Sequence, residues 1–186
     1  MPGAAAPPPA CAAVEQALEK NDTIALDYAV KRDLLLHTAM AFLQGFPMLN
    51  CGDEIAQLNG WDYKNDPDRV EDSRNLHRSK FNWENAKQRT RKGTLQNALW
   101  QGMEELRKMR ADECFSGCVG HDMGQPQPGV LALVRKRGEE TLVGLFNLPN
   151  TLPVQALTRW AESIPPLTAR LYGWPMWNCS PIRHCS

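Results

Sequence analysis

Gly45-Phe46-Pro47-Met48-Leu49-Asn50-Cys51-Gly52-Asp53-Glu54 is the stretch whose reading decides the fold. After a Gly and Pro break, a run of strand length, Pro47 to Cys51, ends abruptly in Gly-Asp-Glu. A short apolar run bounded by turn residues predicts a buried strand. Its acidic end falls where an α/β-barrel strand delivers polar side chains to a ligand-facing rim. Chemistry is expected at that rim.

Upstream of it, Asn21 or Asp22 offers an N-cap for a helix through Ile24, Leu26, Val30, Leu34, Leu35, Met40 and Phe42, with Gly45 as its stop. Toward its end that helix is apolar around much of its circumference, as suits a helix packed between neighbours. His37 lies inside it and has no nucleophile beside it, so it reads as a partly buried histidine hydrogen-bonded to a neighbour. Downstream, residues 52–93 form a long polar excursion holding Trp61, Tyr63, Phe81 and Trp83. Loops longer than about 15 residues are uncommon unless they serve a site. Aromatic rings interleaved with fixed charges suit sugars, which present both apolar faces and hydroxyl edges.

A second helix is expected over Thr94 to Arg110. Leu95, Leu99, Met103, Leu106 and Met109 recur on it at helical spacing as a core stripe. From Gly129 the period changes: Val130–Lys136 and Glu139–Asn147 read as two strands joined around Gly138, and Leu152–Trp160 offers a third. From Leu171 the alternation decays. Residues 1–20 are Pro- and Ala-rich and read as a linker or truncated start.

The chain has 186 residues, whereas a complete eight-stranded α/β barrel typically needs about 250. Its formal net charge is zero, which removes the electrostatic case for nucleic acid or an anionic membrane. Basic residues cluster only around Lys87–Lys92 and Arg135–Arg137, which read as solvated faces. No apolar run reaches the roughly 18 residues of a membrane span. Met1 to Ala10 lacks the basic start and apolar centre of a signal peptide, so a cytoplasmic setting is expected, with export left open if sequence precedes Met1. Among the six cysteines, Cys114, Cys118 and His121 with Cys179, His184 and Cys185 invite a zinc reading. Their spacing is looser than the close pairs zinc sites prefer, which favours scattered free thiols.

The wording of the central loop says more than its pattern. Gly52 to Asn59, Tyr63 to Pro67 and Glu71-Asp72-Ser73-Arg74-Asn75-Leu76-His77-Arg78 closely resemble, almost without gaps, the eighth-strand region of glycoside hydrolase family 13, the α-amylase superfamily, in its amylosucrase branch. The likeness covers roughly residues 12 to 160 and is strongest from Gly45 to Arg78. It implies an α/β fold: the last βα unit of a (β/α)8 TIM barrel over residues 21–113, then a small antiparallel β-domain over 114–186, the barrel being incomplete. Asn50 stands where the family usually has Tyr.

The resemblance also implies the C-terminal portion of an α-glucosyltransferase or α-glucosidase acting on sucrose and α-glucan oligosaccharides. The nucleophilic Asp, acid/base Glu and stabilising Asp of that family come from its fourth, fifth and seventh strands, all upstream of the matched region. No catalytic residue, cofactor or metal is therefore expected here, and the chain alone is expected to be inactive. Asp53 and Glu54 cannot substitute, because adjacent residues leaving a strand point to opposite sides and do not clasp one glycosidic bond. They are expected to brace the loop. The candidate substrate-binding residues are Arg74, Asp72 and Asp53. In the family the arginine of Asp-Ser-Arg closes the glucosyl pocket by pairing with an acidic residue from an early loop. A guanidinium suits that task through its bidentate fork, but Arg74 could equally pair with Glu71, Asp72 or Asp53 as local scaffolding. The alternative is a non-catalytic carbohydrate-binding or remnant module kept for its aromatic loop.

Overall fold

The computed structural model describes residues 13–116, 120–138, 140–147 and 168–173. These form two compact units, one of residues 13–37 with 48–106 and the other of residues 38–47 with the described residues from 107 onward. Helices α1 (Val14–Glu19), α2 (Thr23–Phe42), α3 (Trp83–Gln88) and α4 (Leu95–Arg110) precede a small sheet of β1 (Gly120–Gln127), β2 (Val130–Arg137), β3 (Glu140–Asn147) and β4 (Thr168–Gly173). The architecture is thus mixed helix and sheet.

Local sequence sets the helix ends. Asp22 Oδ1 accepts the Ala25 N–H at 2.9 Å, and Thr94 Oγ1 accepts that of Asn97 at 3.1 Å, satisfying donors that the first turns of α2 and α4 leave open. Gly45, at φ 101°, supplies the left-handed backbone on which the chain leaves α2. On α4, Leu99, Met103, Leu106 and Met109 are all buried, as their spacing requires. In the first unit, Val14 and Ala29 pack with Leu26, Leu58 and Leu95. Residues 14–19 are therefore a packed helix rather than part of a linker; Glu15, Gln16, Ala17 and Leu18 all have high helix propensity, and Val14 anchors it.

The strand predicted over Pro47–Cys51 does not form. Residues 46–50 carry no regular structure, and Phe46 and Met48 are 97% and 83% exposed. A strand exists through the N–H and C=O groups of its neighbours, and none runs alongside this segment among the described residues. The excursion over 52–93 is not bare loop. It is built from 3₁₀ turns at Asp53–Ile55, Trp61–Asn65 and Ser73–His77, followed by α3.

In the second unit the sheet order is β1-β2-β3-β4, antiparallel through β3, with β4 parallel to β3. The β2–β3 hairpin forms as expected, Val130 opposite Asn147 and Arg137 opposite Glu140, turning at Gly138 with φ 56°. Strands β1 and β4 were not anticipated, and β4 departs from a purely antiparallel domain. The third strand expected over 152–160 lies outside the described residues. Phe42 meets Phe115 and Phe146 edge-to-face at 5.2 and 5.6 Å, forming the aromatic centre of this unit. Arg135, expected on a solvated face, is buried: strand alternation turns it inward while Lys136 faces out.

Candidate functional site

The Gly-Asp-Glu sequence folds into a tight turn that bonds largely to itself. Gly52 sits at φ 108°, and a Cβ there would lie 2.8 Å from Gln57 Cβ, so glycine is required both by conformation and by space. Asp53 Oδ2 accepts the Asn50 N–H at 3.1 Å, Glu54 Oε2 accepts the Gly52 N–H at 2.9 Å, and the Gln57 N–H donates to Gly52 O at 2.9 Å. Both carboxylates thus brace the loop backbone.

Gln57 ties this turn to the far end of the excursion. Its Nε2 donates to Ser79 O and Lys80 O at 3.4 and 3.3 Å, while its Oε1 accepts the Asn82 N–H at 3.0 Å. A second tie comes from Glu15 of α1, which accepts from both the N–H and the Nδ2 of Asn59, at 2.5 and 2.8 Å. Neither residue stood out in the sequence, because a Gln or Glu gains such a role only from partners distant in the chain.

Between these ties lies a small polar recess of about 10 Å³, lined by Asn50, Gly52, Asp53, Gln57, His77 and Ser79 among others. His77 Nδ1 and Ser79 Oγ are buried and have no hydrogen-bond partner among the described residues. The space beside them is at most that of a single water.

Of the sequence-nominated residues, Asp72 and Arg74 are joined. Asp72 Oδ1 accepts the Arg74 N–H at 3.0 Å, capping the Ser73–His77 turn, and the Arg74 Nε at 2.8 Å. The hydrogen bond from the Arg74 side chain holds the Asp72 carboxyl below the usual carboxylate range, and the same bond raises the Arg74 guanidinium. Arg74 is 67% exposed, so most of its fork faces outward. Asp53 makes its contacts elsewhere, with the Asn50 backbone and with His37, whose Nε2 is 3.7 Å away.

The aromatic residues divide by role. Tyr63 is buried in the unit's core, whereas Trp61 and Trp83 are exposed. Lys64 Nζ sits 4.6 Å from the Trp61 ring centroid, and Phe81 meets Trp83 edge-to-face at 4.8 Å. His37 is hydrogen-bonded as anticipated, its Nδ1 lying 3.0 Å from Asp33 O. Its contact with Asp53 was not foreseen.

Among the described residues no group of three or more His, Cys, Asp or Glu side chains is arranged to hold a metal ion, and no helix is long and apolar enough to cross a membrane. Cys51 and Cys114 form no disulfide, and Cys118, His121, Cys179, His184 and Cys185 are not among the residues whose side chains are described. No protein-family model matches the chain.

Proposed function

We propose that this chain is the C-terminal portion of an amylosucrase-like α-glucosyltransferase or α-glucosidase of glycoside hydrolase family 13, acting on sucrose and α-glucans, and that it donates the last βα unit, one pocket wall and a terminal β-domain. The observation that carries the reading is the ordered likeness from Gly45 to Arg78, in which Gly-Asp-Glu, the Tyr63–Pro67 segment and Asp-Ser-Arg follow one another at the family's spacing. Two further facts support it. The 46–49 segment exposes Phe46, Met48 and Leu49 and pairs with no strand among the described residues, and the Arg74 side chain is largely exposed, where a carboxylate from another part of a pocket can meet it.

The test is complementation. The 186-residue chain alone releases no glucose, fructose or glucan from sucrose. Mixed with an amylosucrase truncated before its eighth strand, it restores turnover, and Arg74→Ala in the added chain abolishes the restoration. Turnover by the chain alone, or restoration unaffected by Arg74→Ala, overturns the assignment. The second reading, a carbohydrate-binding module, rests on exposed Trp83 and Trp61. It requires that α-glucan oligosaccharides bind the isolated chain and that Trp83→Ala removes that binding.

A further inference from the structure

Three ionisable side chains are buried together behind the recess. His37 stands between Asp33, one turn earlier on α2, and Asp53 of the 3₁₀ turn; all three are almost wholly enclosed. Nδ1 of His37 lies 3.0 Å from Asp33 O and 3.7 Å from Asp33 Oδ1, while Nε2 lies 3.7 Å from Asp53 Oδ2. A carbonyl oxygen can only accept, so Nδ1 carries the ring's first proton and Nε2 is bare in the neutral form. Neither Asp33 carboxylate oxygen has a hydrogen-bond partner among the described residues.

We propose that His37 is a proton-dependent strut: with Nε2 protonated it holds Asp53, and so the Asn50–Gln57 turn, against α2, and with Nε2 bare it lets that turn go. Two buried carboxylates on either side of a neutral ring repel one another and turn a lone pair toward Asp53. One added proton places a positive ring between them that attracts both. The turn has reason to open when released, because Ala56 is held at φ 55°, a left-handed conformation that costs a residue with a Cβ. The other titratable groups lining the recess with Asp53 are Cys51 and His77.

The direction of the proton equilibria agrees. Burial is the largest influence on His37 and opposes its charge, yet the Asp53 and Asp33 carboxylates outweigh it and raise the ring above its ordinary 6.5. Burial first, with Asp53 adding and His37 opposing, pushes Asp33 from 3.8 to about 6. Both groups bind protons more tightly in the fold than in the unfolded chain. The His37 contribution to stability is complete below 6.5 and is lost as pH rises through its raised value; that of Asp33 is complete below 3.8 and is lost by about 6. Both therefore favour the folded arrangement on the acid side of neutrality, and the His37 share acts through Asp53 on the turn.

The experiment is an NMR pH titration of the histidine ring carbons of the full chain, with His37→Gln for assignment, alongside amide hydrogen exchange. The His37 midpoint is expected above 6.5, and Asp53→Asn lowers it. Exchange at residues 50–57, corrected for intrinsic base catalysis, accelerates about tenfold for each unit by which folding raises that midpoint. A His37 midpoint at or below 6.5, or a corrected exchange rate that stays flat across it, overturns the proposal. Both overturning outcomes are read on the unsubstituted chain. The strut stands or falls without sugar, so its failure leaves the complementation result untouched.

Discussion

Arg135 carries a permanent charge into a site that leaves it 3% exposed. What receives it is a ring of carbonyl oxygens: Phe42 and Leu43 at 2.9 and 3.1 Å from Nη1, Cys114 at 3.3 Å from Nε, and Phe115 at 3.4 Å from Nη2. The first two belong to the C-terminal end of α2, where the helix dipole is negative and carbonyls lack intrahelical partners. The Phe115 ring lies beneath, 4.9 Å from the guanidinium carbon, with Arg110 at 4.8 Å from the same ring. Burial, then the charge of Arg135, lowers the Arg110 pKa. Arg135→Ala strands several buried acceptors at once and is expected to cost about 2–4 kcal/mol. Arg135→Lys should recover only part of it, since an ammonium cannot fan out to the same acceptors. Urea unfolding of the two variants measures both, and an alanine cost under about 1 kcal/mol, the value of an exposed pair, would refute the capping role. Little of this was legible beforehand. In sequence Arg135 is one of three consecutive basic residues, and the Phe42, Leu43, Cys114 and Phe115 carbonyls that receive it lie far from it in the chain. His37 was legible in part: its spacing from Asp33 is one helical turn, but Asp53 reaches it only through the folded turn.

At the scale of elements, close packing can be tested at two glycines of the sheet. Gly144 on β3 lies against rings. An added Cβ would be 2.8 Å from Phe42 Cε1 and 2.9 Å from Phe146 Cε2, and both phenylalanines are buried and fixed by their edge-to-face contacts. Gly144→Ala is therefore expected to destabilise by about 1–3 kcal/mol through overpacking. Gly124 on β1 has nothing within 4 Å of an added Cβ, so Gly124→Ala should be neutral or stabilising by a few tenths of a kcal/mol, through the reduced freedom of the unfolded chain. Thermal unfolding of the pair checks the contrast, and equal effects would mean the ring packing around Gly144 is loose. The elements also show what a sequence can and cannot announce. Helices α2 and α4 were readable because caps, stops and stripes are local: Asp22, Thr94, Gly45 and the Leu99–Met103–Leu106 series. Strand β1 was not, because Gly120–Gln127 has no apolar alternation and contains Pro126; its pairing with β2 shifts register between Gly124 and Gln127 to accommodate the irregularity. Pro47–Cys51 failed in the opposite sense. Its composition suits a strand, but pairing is a property of two strands, and composition describes only one.

For the molecule as a whole, the decisive quantities are a formal net charge of zero at pH 7, a pI near 6.9 and a set of bare apolar side chains. Phe46 and Met48 stand on an irregular segment with no strand beside it among the described residues, so backbone groups lie next to exposed apolar surface, the combination through which strands add to one another. Zero net charge removes the long-range repulsion that otherwise keeps such surfaces apart. Self-association is therefore expected to be strongest near pH 7 and to decline on either side as net charge accumulates. The double substitution Phe46→Glu, Met48→Glu removes the apolar surface and adds charge at the same place, so it should suppress association at pH 7. A substitution pair of the same charge placed on an already polar stretch, Asn85→Glu with Gln88→Glu on α3, separates the two effects: if charge alone governs association, it suppresses as well as the first pair does; if the unpaired segment governs it, this second pair has the weaker effect. Light scattering against pH for the three proteins decides. A scattering profile for the unsubstituted chain that shows no maximum near neutrality would remove the role of net charge, and one that is unchanged by Phe46→Glu, Met48→Glu would remove the role of the segment.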